Sequence, residues 1–127
     1  VYQKIQDIAP GELESNENIR IFRGALSAET ARDYFRKGEK VVASLILGHH
    51  IESRLKSFTS SLIGSSCLTL FDCLKALEEA GRITHYAKGL FQNLLRLRNR
   101  AIHEPTVISE KDFDAAIKDI AQLEDTL

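Results

Sequence analysis

Tyr86, Leu90, Leu94 and Leu97 recur at three- and four-residue spacing, Phe91 and Leu95 widen the stripe, and Pro105 stands just beyond it. That period is one face of an α-helix. Proline pushes Glu104 out of helical geometry, so a helix opening near Thr84 has to end close to His103. A stripe of this length needs other apolar faces to cover it, and the rest of the chain repeats the same period. Ser27 is a good N-cap, with Glu29 in the first turn that follows. The helix it opens carries Tyr34, Val41, Val42, Leu45 and Ile46, then Leu47, Ile51, Leu55 and Phe58, with Gly38 as a point of interruption. Between Val41 and Leu47 it is apolar nearly all round, which predicts a central, buried helix.

Residues 59–66 read as a serine-rich connection holding Gly64. A short helix over Leu68–Ala80 presents Leu70, Phe71, Leu74 and Leu77, and Gly81 is placed to terminate it in the left-handed conformation. Ser109-Glu110-Lys111-Asp112 resembles a capping box with Asp112 in the place of the usual Glu or Gln. The last helix then buries Phe113, Ala116, Ile117, Ile120 and Leu123. The fold class expected is all-α, and four main helices with short connections make a four-helix bundle the simplest architecture. Over Val1–Leu26 the pattern is weaker. Tyr2, Ile5 and Ile8 have near-helical spacing, Pro10-Gly11 breaks it, and a polar, acidic stretch follows. The expected division is a short N-terminal helix and linker over 1–26 and a helical domain over 27–127.

At 127 residues the chain has the length of one domain with a single core. Its formal net charge of -1 gives no global attraction for nucleic acid, so any RNA contact has to come from a local patch such as Arg96, Arg98 and Arg100. Cys67 and Cys73 point in different directions on a predicted helix. They read as small core residues rather than nucleophiles or a disulfide, and suggest a reducing, cytoplasmic setting. No apolar run reaches the roughly 18 residues of a membrane span, so no membrane partner is expected. His49 and His50 are adjacent and lack the spacing of a helical zinc pair, and His85 is isolated, so neither a metal site nor a cofactor is expected. The chain begins at Val1 and has no methionine, which raises the expectation of a piece of a longer protein with an upstream domain.

The chemistry-bearing residues gather where the Tyr86–Leu97 stripe ends, in Leu97-Arg98-Asn99-Arg100-Ala101-Ile102-His103-Glu104-Pro105. Arginine offers phosphate a planar fork of donors, asparagine a donor and an acceptor, and histidine a proton that titrates near neutral pH. At roughly 100° per residue, Asn99 and His103 share a face, whereas Arg98 lies about 140° round from His103. Within one chain Arg98 meets His103 only if the helix end unwinds or the side chain bends across. The other solution is a two-fold dimer, whose interface is self-complementary. The residues alone leave a plainer reading open: basic side chains in a last turn favour the helix dipole, His103 bonds a terminal carbonyl, and Arg96 and Arg100 form a solvated face.

Arg98, Asn99, three more residues and His103, placed just before a helix-ending proline, resemble the Arg-x4-His motif of the HEPN superfamily. The order of helices from about Ala25 to Leu127 is similar to a HEPN domain as well, and the spans Leu74–Gly81 and Val107–Asp112 look like those of uncharacterised bacterial HEPN families. The resemblance implies a HEPN-like bundle and a homodimer. It implies metal-independent endoribonuclease activity in a toxin or defence role, with an antitoxin as a further partner. The attack of a 2′-hydroxyl on the adjacent phosphate would leave a cyclic phosphate and a free 5′-hydroxyl. His103 would be the acid or base, Arg98 the phosphate stabiliser, Asn99 the orienting group, and Arg96 and Arg100 backbone contacts. Glu52 resembles an acidic position on the first long helix of several such domains, as a partner for Arg98 or a further acid/base group. Toxins paired with nucleotidyltransferase antitoxins often carry a tyrosine two residues after the motif histidine. Here that position is Pro105, so regulation through such a tyrosine is not implied. The alternative is a noncatalytic module that binds RNA or nucleotide, or that mediates dimerisation within a larger protein.

Overall fold

A computed structural model describes residues 27–64 and 69–126. The helix and linker expected over 1–26, and Cys67, lie outside them. Within the described residues all regular structure is helical: α1 Ala28–Arg36, α2 Lys40–Ile63, α3 Leu70–Glu79, α4 His85–His103 and α5 Glu110–Glu124, with one 3₁₀ turn, Pro105–Val107, before α5.

Side-chain caps explain most of the boundaries. Ser27 Oγ accepts the Thr30 N–H at 3.1 Å, Thr69 Oγ1 the Asp72 N–H at 3.1 Å, and Thr84 Oγ1 the Ala87 N–H at 3.1 Å, each satisfying an amide that the first turn leaves unpaired. At the start of α5 the Asp112 carboxylate accepts the Ser109 N–H at 2.8 Å. Gly38, at φ +90°, makes the break between α1 and α2 complete, so α1 folds back on α2 and α5 as a separate helix. Phe35 and Phe113 meet there with ring centroids 5.2 Å apart. Gly81, at φ +64°, ends α3 while the Arg82 N–H reaches back to the Leu77 carbonyl at 3.0 Å.

The structure corrects three sequence expectations. The connection expected over 59–66 is helical as far as Ile63. Thr59 is fully buried, and its hydroxyl donates to the Leu55 carbonyl at 2.9 Å, which lets a polar residue continue the helix inside the core. The long central helix is not buried all round. Ala43, Leu47, Ile51, Leu55 and Phe58 face the core, but Val41, Val42 and Leu45 are 48%, 45% and 38% exposed, because among the described residues the neighbouring helices leave that side of α2 uncovered. Phe71 on α3 and Tyr86 on α4 are also exposed, at 67% and 59%. Cys73 occupies the core-facing position beside Phe71, and the Tyr86 hydroxyl donates to Gln122 Oε1 at 3.0 Å.

Where α2 passes α4, Gly48 lies directly against Ile102 and Ala101. A methyl group built there would lie 2.7 Å from Ile102 Cδ1 and 2.9 Å from its Cγ1, closer than real carbon contacts. One turn earlier on α2, Ser44 Oγ donates to the Pro105 carbonyl at 2.9 Å. Together these contacts seat the C-terminal end of α4 and the 3₁₀ turn against α2. Gly48→Leu should therefore cost about 1–3 kcal/mol through overpacking, read as a lower denaturant midpoint at an unchanged slope. An unchanged midpoint would show that Ile102 gives way freely and that the crossing is set elsewhere.

Candidate functional site

The last three turns of α4 run unbroken to His103, so helical geometry fixes where each polar side chain goes. Buried Leu94, Leu97 and Ala101 point inward. Arg98 leaves on the edge facing α2, Arg96 and Arg100 on the edge facing α5, and Asn99 and His103 on the outer surface. Arg96, Arg98 and Arg100 are thus not one patch, because residues two apart on a helix diverge by roughly 160°.

Arg98 is half-buried, and its terminal nitrogens are both engaged. One donates to Glu52 Oε1 at 2.5 Å and the other to Asn99 Oδ1 at 3.0 Å. Its Nε is buried and has no acceptor among the described residues. Glu52 also accepts from Lys56 Nζ at 3.0 Å, one turn along α2. Burial pushes the Glu52 carboxyl up, but hydrogen bonds from Lys56 and Arg98 and their positive charges outweigh it and hold the carboxyl below its ordinary value. Glu52 is therefore a fixed anion at neutral pH. It can orient Arg98, whereas a proton donor would need the opposite shift.

Asn99 is exposed, and its carbonyl oxygen is taken by Arg98. His103 is exposed at the helix terminus, and no described residue hydrogen-bonds its ring. The terminal-carbonyl bond of the plainer reading is absent among the described residues. Arg98 and His103 stay on separate sides of one chain: the helix end does not unwind, and Arg98 bends toward α2. On the other edge, Arg96 donates to Asn93 Oδ1 at 3.0 Å and Arg100 to Asp112 Oδ1 at 3.2 Å. Among the described residues no three His, Cys, Asp or Glu side chains gather as a metal-binding set, and no helix is long and apolar enough to cross a membrane.

Lys56, Asn93 and Asp112 complete this polar framework without having been singled out for it by the sequence. Their signal was local: Lys56 is one turn from Glu52 and Asn93 one from Arg96. No family model, curated protein or solved structure matches the chain.

The Glu52 pairing makes a pH-dependent prediction. A carboxyl whose folded pKa is depressed contributes stability above its unfolded value, and that contribution disappears as pH falls through the folded value. Wild type should exceed Glu52→Gln by about 1–2 kcal/mol at neutral pH, between the values of exposed and buried pairs. The gap should close in acid below the ordinary 4.5. Denaturant midpoints of both proteins against pH measure it, and a gap that persists in acid would mean that the carboxylate charge is not its source.

Proposed function

We propose that this chain is a HEPN-type, metal-independent endoribonuclease that acts as a two-fold dimer, with Arg98 and His103 of two copies lining one RNA cleft. The observation that carries the reading is the division of labour on α4: Arg98 is held half-buried against α2 by Glu52 and Asn99, while His103 stands exposed at the helix terminus with no described residue hydrogen-bonded to its ring. A preoriented cation and a titratable imidazole are the two groups that phosphate-ester cleavage through a neighbouring hydroxyl requires. His103 takes the 2′-hydroxyl proton or protonates the departing 5′-oxygen, Arg98 stabilises charge on the phosphoryl oxygens, and Asn99 orients the phosphate or the ring. Arg96 and Arg100, on the edge facing α5, hold the RNA backbone.

A second copy is needed because Arg98 and His103 do not converge within one chain. Support for it comes from α2, where Val41 and Leu45 lie on the same helical edge as Glu52 and are exposed together with Val42. Covering three half-exposed aliphatic side chains is worth about 1 kcal/mol each. The same apolar surface favours the second reading, a dimerisation module in a larger protein, in which the Arg98–Glu52 pair only ties α4 to α2. As a nuclease, the chain would by its resemblance have a toxin or defence role with an antitoxin as partner; as a dimerisation module it would serve an attached upstream domain.

An assay on mixed RNA in chelator should show cleavage leaving cyclic phosphate ends, reduced about 100-fold or more in His103→Ala and in Arg98→Ala. Undiminished cleavage by His103→Ala, or none by folded wild type, would overturn the nuclease. Sedimentation should show a wild-type dimer and a Leu45→Lys monomer. A dimer that survives Leu45→Lys would remove the α2 face from the interface.

A further inference from the structure

The outer edges of α4 and α5 diverge into an open groove of about 350 Å³, lined by Asn93, Arg96 and Arg100 on one side and Asp112, Ala115 and Asp119 on the other, with Leu97 at its base. That volume lies in the roughly 300–1,000 Å³ range of small-molecule clefts. Four of its five polar side chains already have partners: Arg96 is on Asn93, and Arg100 is on Asp112, whose second oxygen caps α5 through the Ser109 N–H. Asp119 differs. It is half-buried, lines the same groove, and accepts no hydrogen bond and forms no ion pair with any described residue. Burial raises its carboxyl above the ordinary value, and the charge of Lys118 only partly offsets that. An anion withdrawn from water without a partner is a cost to the fold, and a ligand supplying donors would remove it.

The groove's formal charges cancel, two arginines against two aspartates, so it is not a general trap for polyanions. Its selectivity has to come from pairing. A carboxylate presents two acceptor oxygens side by side, and the matching base edge is two adjacent N–H donors, N1–H and the 2-amino group of guanine. Adenine and cytosine place a ring acceptor beside their amino group, and uracil flanks its single N–H with carbonyls, so each would set a lone pair against an Asp119 oxygen. Leu97 and the small Ala115 supply the groove's apolar lining, against which the rings can pack. Arg96 and Arg100, one turn apart on α4, keep N–H groups free for phosphate oxygens.

We propose that the α4–α5 groove is a guanine nucleotide site, with Asp119 reading the Watson–Crick edge of the base and Arg96 and Arg100 holding its phosphate. The nucleotide is either free or part of an RNA strand. In the second case the site gives the proposed nuclease a base preference beside its scissile phosphate, an extension that rests on the nuclease reading, whereas binding itself does not.

The test is calorimetric titration of the His103→Ala protein, so that cleavage plays no part, with 5′-GMP, AMP, CMP and UMP and with the oligonucleotides UUGUU and UUAUU. GMP or UUGUU should bind at least about tenfold more tightly than the corresponding adenine ligand. Asp119→Asn should erase that preference without lowering the melting temperature, and Arg96→Ala should weaken all ligands. Tighter binding of UUGUU than of GMP identifies a strand as the ligand, and equal binding identifies the nucleotide alone. Equal affinity for all bases, a guanine preference that survives Asp119→Asn, or no binding overturns the site. RNA cleavage by wild type in any of those cases leaves the nuclease reading standing.

Discussion

The closeness of α2 and α4 at Gly48 determines what the end of α4 can present. With only a hydrogen on that residue, Ile102 settles onto the α2 backbone, and the carboxylate of Glu52, one turn further along α2, comes within bonding distance of Arg98. Ser44 meanwhile ties down the Pro105 carbonyl just beyond the helix. The apolar contact comes first in this order of causes. A half-buried ion pair contributes modestly once desolvation is subtracted, too little to bring two helices together, but it is enough to select one orientation for a side chain that packing has already carried there.

Boundaries that depend on a few adjacent residues were legible in the sequence. Ser27, Gly81, Thr84, Pro105 and the Ser109–Asp112 box each act within one turn, so reading them needs no knowledge of the rest of the chain. Burial was legible only where the apolar stripe was narrow, as in Leu90, Leu94 and Leu97. Around Val41–Leu47 apolar residues occur on every side of α2, and periodicity cannot tell which side a neighbour will cover. Thr59 misled for a related reason: a hydroxyl counts as polar in a pattern, yet its bond to a carbonyl within its own helix makes it acceptable in a core.

The candidate site was readable in its residue types and much less so in their arrangement. Helical angle alone separated Arg98 from His103, and the unbroken end of α4 keeps them apart. What Arg98 touches depends on Glu52, 46 positions away, and Asp119 is one of many aspartates until α4 and α5 are set side by side. The three arginines look like a cluster when written in a line. Folded, they serve two edges of one helix, one tied to α2 and two opening toward α5, with His103 between them.

Arg98 also enters any encounter already ordered. A flexible arginine on a surface loses about 0.5–1.5 kcal/mol of rotamer freedom when a partner immobilises it. Here Glu52 and Asn99 hold the guanidinium plane before anything binds, so that entropy is lost during folding instead. A phosphate arriving at this edge would meet donors whose direction is settled, and its affinity would depend on fit and desolvation rather than on the cost of capturing a moving side chain.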